Sequence, residues 1–215
     1  MSDHWPFLKS TRDIHVTDAE GAYLYTKDGP LLDAAGGAIV VNIGHGRQEV
    51  ASAVGKATAQ SSYVVPPWLT EERVALVERL REDWLPESLS RLHMTSGGSE
   101  AVESAMKMAI MHHASRGQPE KSQIIGRSIS YHGTTLATTA VGGHEARKVG
   151  IAHVLDSHPV IPTPYALRCP DTEPLRYFVQ ELEKTIASEG AETIAALVAE
   201  PVSYTHLTLP TSDLV

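Results

Sequence analysis

From His93 to Ala109 the chain reads HMTSGGSEAVESAMKMA, with two glycines and two serine hydroxyls directly ahead of a segment whose apolar residues fall at helical spacing. Such a start can hold an anion. The first N–H groups of a helix have no intrahelical acceptor, and the helix dipole favours negative charge beside them. Gly97 and Gly98 let the backbone approach a phosphate closely, and the Ser96 and Ser99 hydroxyls can donate hydrogen bonds to it. The same string also reads as a helix cap and a tight turn, with no ligand. A second stretch, SYHGTT at 130 to 135, supplies a different chemistry. Tyr131 can offer a flat ring to a planar heterocycle, and Gly133 clears space beside it, although a tyrosine at a strand end is also an ordinary core residue. A phosphate cup and an aromatic plate on adjacent loops describe a site for a phosphorylated aromatic cofactor.

Strands alternating with helices must position these loops. AYLYTKDG (22 to 29) and PLLDA (30 to 34) read as two extended pieces joined at Asp28-Gly29, a hairpin turn signal. A helix is expected from Gln48 to Gln60 with Val50, Val54 and Ala57 on one face. Thr70 caps a second helix, which buries Val74, Val77, Leu80 and Trp84 and ends near Leu85-Pro86. From Arg91 the alternation is regular: strand RLHMT (91 to 95), the SGGS turn, then a helix over 99 to 115 with Val102, Met106, Ala109, Ile110 and His113 facing a sheet. SQIIGR (122 to 127) is the next strand, SYHG lies in the loop after it, and a helix covers Thr134 to Ala140. HPVIPTPYALRCP reads as an irregular surface connection. A helix capped by Asp171 or Thr172, with Pro174 in its first turn, then buries Leu175, Phe178, Val179, Leu182 and Ile186 and stops at Gly190. TIAALVAE (193 to 200) is expected as a buried central strand. The pattern predicts an α/β fold with a mainly parallel sheet flanked by helices.

Composition narrows the function classes. The 215 residues carry a net charge of -8, with Lys and Arg scattered singly, which offers no basic stripe to nucleic acid or an anionic membrane. The N-terminus has no signal-peptide pattern and no apolar run approaches the roughly 20 residues a membrane-spanning helix needs, so a soluble, cytoplasmic protein is expected. Cys169 is the sole cysteine and can form no intrachain disulfide. His112, His113, His153 and His158 show no metal-ligand spacing, and GGSEA does not supply the G-x-S-x-G of a serine hydrolase.

Taken in order, DGPLLDAAGG, NIGHGRQEVASAV, MTSGGSEAVESAMKMA, IIGRSISYHGTT and ALVAEPV resemble the class III (omega) aminotransferases, pyridoxal-phosphate enzymes of fold type I. The resemblance runs from about Trp5 to Val202. It implies that Gly97, Gly98 and Ser99 hold the cofactor phosphate, that Tyr131 stacks on the pyridine ring, and that His132 supports the ring site. Many members have serine where Gly97 stands; the backbone donors remain, so phosphate binding should weaken only modestly. The resemblance also places the Glu200 carboxylate in a hydrogen-bond network below the cofactor, against the plain alternative of a strand-end acid facing solvent. Ile39 and Trp68 match positions near the family's substrate pocket, and a core role is equally open for each. The implied domains are 1 to 60, part of a small N-terminal domain with its linking helix, and 61 to 202, the first part of a large cofactor-binding domain.

After AEPV the resemblance stops. The segment SYTHLTLPTSDLV does not match the family's glycine-rich continuation, and none of Lys9, Lys27, Lys56, Lys107, Lys121, Lys148 or Lys184 stands in the context of its Schiff-base lysine. Ser203 to Val215 is therefore expected to be foreign sequence behind an amino-terminal half. The parent protein is expected to move an amino group from an amine or amino acid to a keto acid or aldehyde, as a homodimer. Aminomutases and racemases of the same fold share these motifs, and a catalytically inactive fragment is the third alternative.

Overall fold

The computed structural model describes residues 14 to 200; Trp5, Lys9 and the segment Ser203 to Val215 lie outside them. The chain forms two compact units, divided in sequence between Ser90 and Arg91. In the first, β1 (Val16–Glu20), β2 (Tyr23–Thr26) and β3 (Gly29–Leu32) make an antiparallel meander in the order β1-β2-β3. The hairpin between β2 and β3 turns one residue earlier than the sequence suggests. Thr26 pairs with Gly29, so Lys27 and Asp28 form the loop, and the Thr26 hydroxyl accepts from the Asp28 N–H at 3.1 Å. Gly29 follows at φ 116°, a left-handed value that suits glycine. Strand β1 was not expected, because VTDAE has no apolar alternation to mark it; its ladder to β2 makes it a strand.

A short turn, α1 (Gly36–Ile39), then runs with positive φ at Gly36, Gly37, Ala38 and Ile39. The two non-glycine residues each cost roughly 1–2 kcal/mol there. Asp33 offsets part of this by accepting from the Gly37 N–H at 2.7 Å, while its Oδ2 also meets His45 Nε2 at 2.9 Å. Helix α2 (Gln48–Gln60) spans the expected residues, and its Val50 and Val54 are exposed. Helix α3 (Glu71–Asp83) is capped by Thr70, whose side chain accepts from the Arg73 N–H at 3.2 Å. Val74, Val77 and Leu80 are half-buried on its inner side. Trp84, expected among them, is 78% exposed, because it is the C-cap at φ -127° and no longer follows the helical phase.

The second unit is the α/β part. Its parallel sheet has the order β5-β4-β6, from β4 (Gln123–Arg127), β5 (Val160–Ile161) and β6 (Ile194–Leu197). Helix α4 (Gly98–Ser115) packs on β6 and on α5 (Leu136–Val141), and α7 (Pro174–Glu189) packs on β5. The core is Met106, Ile124 and Val141, with Val102, Ile110, Ala137, Ala195, Ala196 and Val198 against it. The α4 face read from the sequence points inward as expected: Val102, Ala109, Ile110 and His113 are half-buried beside Met106, and His113 Nε2 lies 3.0 Å from the Ala195 carbonyl.

Four sequence expectations need correction here. RLHMT at 91 to 95 has no ladder partner among the described residues, and a segment without one is not a strand. The proline-rich connection is not wholly irregular: Gly126 N–H donates to Pro159 O at 2.9 Å and Ser128 N–H to Ile161 O at 2.9 Å, and Ile161 is buried. The prolines on either side confine this strand to two residues at a sheet edge. β6 is half-buried at the other edge, with Leu197 exposed, and the central place falls to β4. In α7 the N-cap is Glu173, while Asp171 accepts from the Glu173 N–H at 2.9 Å; Phe178, Leu182 and Ile186 turn inward, and Leu175 and Val179 stay exposed.

At Gly126, in β4, a Cβ would strike the Val141 carbonyl oxygen, a backbone atom that cannot swing aside. Gly126→Ala should therefore destabilise the second unit by about 1–3 kcal/mol. Gly55→Ala, in α2 where nothing lies within 4 Å of the added Cβ, should stabilise the first by about 0.4–1 kcal/mol. Urea denaturation of both variants checks the contrast.

Candidate functional site

Two loops meet at the N-terminus of α4. Gly97 is the N-cap, with extended backbone and no side-chain cap, and open space surrounds the positions where a Cβ on Gly97 or Gly98 would stand. Glu100 reaches back to accept from the Ser96 N–H at 2.8 Å. The loop after β4 presses on this helix start. At Gly133, φ 145°, a Cβ would lie 2.6 Å from Ser99 Oγ and from Thr138 Oγ1, and 2.9 Å from Ser99 Cα. No other residue fits there. Ser99 Oγ accepts from the Thr134 N–H at 3.0 Å, which leaves the serine O–H itself to donate elsewhere.

Beneath the loop lies a buried polar group. Arg127, at the end of β4, donates from its guanidinium to the Glu200 carbonyl, and Glu200 Oε1 accepts from the Tyr131 N–H at 2.7 Å. Arg127, His132 and Glu200 are each buried, and Arg127 Nε, His132 Nε2 and Glu200 Oε2 have no hydrogen-bond partner among the described residues. Burial holds the His132 imidazole below its ordinary pKa, with the nearby Arg127 charge adding to the effect. Burial pushes the Glu200 carboxyl up, opposed by the Tyr131 N–H and by Arg127 and His144. Arg127 is itself lowered by burial, with Glu200 opposing.

Sequence reasoning singled out Gly97, Gly98, Ser99, Tyr131, His132 and Glu200, and the structure brings Ser99 to the loop of Tyr131 and His132, and Glu200 beneath Tyr131. Ile39 and Trp68 lie in the first unit, and both are exposed rather than in a core. Several residues were missed. Ser130 is fully buried, donates to the Arg127 carbonyl at 2.9 Å, and accepts from the Gly143 N–H at 3.0 Å. Thr163, in the proline-rich segment, accepts from the Ile129 N–H at 2.7 Å. Helix α6 (Glu145–Lys148) carries Arg147, whose guanidinium carbon lies 4.7 Å from the Tyr131 ring centre. The paired glycines of VGGHEAR were the one available signal: at Gly143 a Cβ would strike the Arg127 and Ser128 backbone, so a close approach was encoded there.

An uncapped helix N-terminus, a tyrosine beside it and orphaned buried polar atoms fit a ligand with an anionic group and a polar ring. The fold is the α/β scaffold of fold type I, with a partial parallel sheet. The chain belongs to the class-III aminotransferases, whose family model matches residues 8 to 205. It is 33% identical over 202 residues to the uncharacterized aminotransferase YodT of Bacillus subtilis, covering 92% of this chain and 45% of that protein. Among solved structures it is similar to an (S)-enantioselective omega-transaminase from Thermomicrobium roseum, with 34% identity, TM-score 0.82, and coverage of 88% of this chain and 43% of that one. It is also similar to an amine transaminase from an uncultivated Pseudomonas species in its PLP-bound form, with 30% identity, TM-score 0.83, and coverage of 94% and 49%. The chain thus spans less than half the length of the relatives it matches.

The buried titratable groups give opposite pH dependences. His132 is depressed, so the unfolded chain binds the extra proton first; its contribution to stability is present above the ordinary value of 6.5 and lost as pH falls below it. Glu200 is raised, so its contribution is present below 4.5 and lost as pH rises above that value. In urea titrations across pH 4.5 to 7.5, His132→Gln should reduce the loss of stability on acidification, and Glu200→Gln the loss on raising the pH.

Proposed function

We propose that the complete protein uses pyridoxal 5'-phosphate to transfer an amino group from an amine or amino acid to a keto acid or aldehyde. The relatives named above are aminotransferases, which favours transfer over the isomerisations that share the fold. When bound, the cofactor supplies an electron sink and a carrier for the amino group. In this reading the backbone of Gly97, Gly98 and Ser99 holds the phosphate, with the Ser99 O–H donating to it. Tyr131 lies flat on the ring. His132 stays neutral and supports the ring site, while Glu200, anchored to the Tyr131 N–H, belongs to the hydrogen-bond network beneath. A homodimer and a cytoplasmic location are further proposals from the family resemblance. The observation that carries the reading is the Gly133–Ser99 junction, which puts the aromatic loop on the helix start as one site.

We also propose that none of the lysines in these 215 residues serves as the family's Schiff-base lysine, and that this polypeptide by itself binds the cofactor weakly and reversibly and does not catalyse transfer. Titration of the full chain with pyridoxal phosphate should show saturable, dialysable binding. Tyr131→Ala should weaken it by about 0.5–1.5 kcal/mol, or roughly two- to tenfold. Pyridoxal lacking the phosphate should bind more weakly by about 0.3–2 kcal/mol. Turnover with an amino donor and a keto acid, or a borohydride-fixed adduct at one lysine, would overturn the proposal of an inactive polypeptide; unchanged affinity in the tyrosine variant would overturn the ring assignment.

A further inference from the structure

We infer that Arg147 is a positioning residue for the aromatic plate: its guanidinium lies on a face of the Tyr131 ring and fixes the plane on which the cofactor stacks. The inference rests on the cofactor reading above and adds a residue to it. The guanidinium carbon stands 4.7 Å from the ring centre, inside the roughly 6 Å within which a cation is attracted to an aromatic face. His144 meets the same ring edge-on, with centroids 6.4 Å apart and planes at 76°. The contacts on Tyr131 include its N–H to Glu200, His144 at its side and Arg147 on a face.

Among the described residues no carboxylate lies within ion-pair reach of Arg147, and Glu145, two residues before it, pairs with Lys148 at 3.1 Å. The backbone explains why so exposed a side chain sits over the ring. The Gly143 N–H donates to Ser130 O at 3.1 Å and to Ser130 Oγ at 3.0 Å, one residue from Tyr131, and the Arg147 N–H donates to His144 O at 3.0 Å. These bonds tie α6 to the loop after β4, and the absence of a side chain at Gly143 permits the approach. A lone surface arginine would sweep through solvent; this one starts from a backbone already docked beside its ring.

The test is a double-mutant cycle in the full chain, with pyridoxal phosphate affinity read from the absorbance of the bound cofactor. Arg147→Met should weaken binding about two- to fivefold, the range expected of an exposed cation on an aromatic face. Arg147→Lys should restore much of the loss, and Arg147→Met should cost nothing further in a Tyr131→Leu background. An equal loss in both backgrounds would mean that the guanidinium acts on the phosphate directly, and overturns the inference. So does unchanged or tighter binding in Arg147→Met. If the wild type binds no cofactor, or Tyr131→Leu binds it as well as wild type, the cofactor reading itself has failed. The same cycle on urea stability without ligand then decides the contact: coupling between positions 131 and 147 supports it, and strict additivity overturns it.

Discussion

Everything at this site depends on one missing side chain. At Gly133 the loop after β4 comes so close to α4 that a methyl group would overlap Ser99 and Thr138. That contact lets the Thr134 N–H reach Ser99 Oγ and brings Tyr131 and His132 to a helix start otherwise marked only by two open glycines. Without it the helix N-terminus would be a weak, general anion site, worth at most a couple of kcal/mol. With it, the helix start and the aromatic loop stand side by side.

The second constraint is electrostatic. Arg127, His132 and Glu200 are buried where each would prefer water, and the attraction between Arg127 and Glu200 only partly offsets the cost of burying those two. Placing such groups inside a fold lowers its stability, so their persistence points to a use. Here the use is geometric. The Arg127 guanidinium ties the end of β4 to the end of the 194 to 200 segment, and the Glu200 carboxylate ties that segment to the Tyr131 N–H. Two neighbouring chain segments of the parallel sheet thereby fix the height of the aromatic loop. Ser130 and Thr163 complete the clamp, each bonding the loop backbone.

Three prolines in HPVIPTP mark a chain that cannot form a long strand, but they do not forbid a two-residue pairing, and Val160 and Ile161 find one beside β4. The expected strand at 91 to 95 shows the converse, because alternating Leu92 and Met94 suit an extended chain while the ladder depends on a partner. Apolar periodicity was most reliable where a helix has one long buried face, as in α4, and least reliable at ends. Trp84 at the C-cap of α3 and Leu175 in the first turn of α7 both count as apolar in the pattern and both face solvent.

By itself the sequence determined the helices α2, α3, α4 and α7, the strand β4 and the α/β class. Those features are local: the periodicity of side chains, Thr70 as a cap, Pro174 in a first turn, and glycines before a helix act on their own neighbours. The tertiary structure alone decided which loops touch, and which polar groups are buried between them. Ser99 and Thr134 are 35 residues apart, Arg127 and Glu200 are 73, and Arg147 reaches Tyr131 only because a glycine lets α6 dock against the Arg127–Ser130 backbone. No pattern in the intervening residues encodes those distances. They follow from how the sheet and its helices pack, and packing is a property of the whole fold.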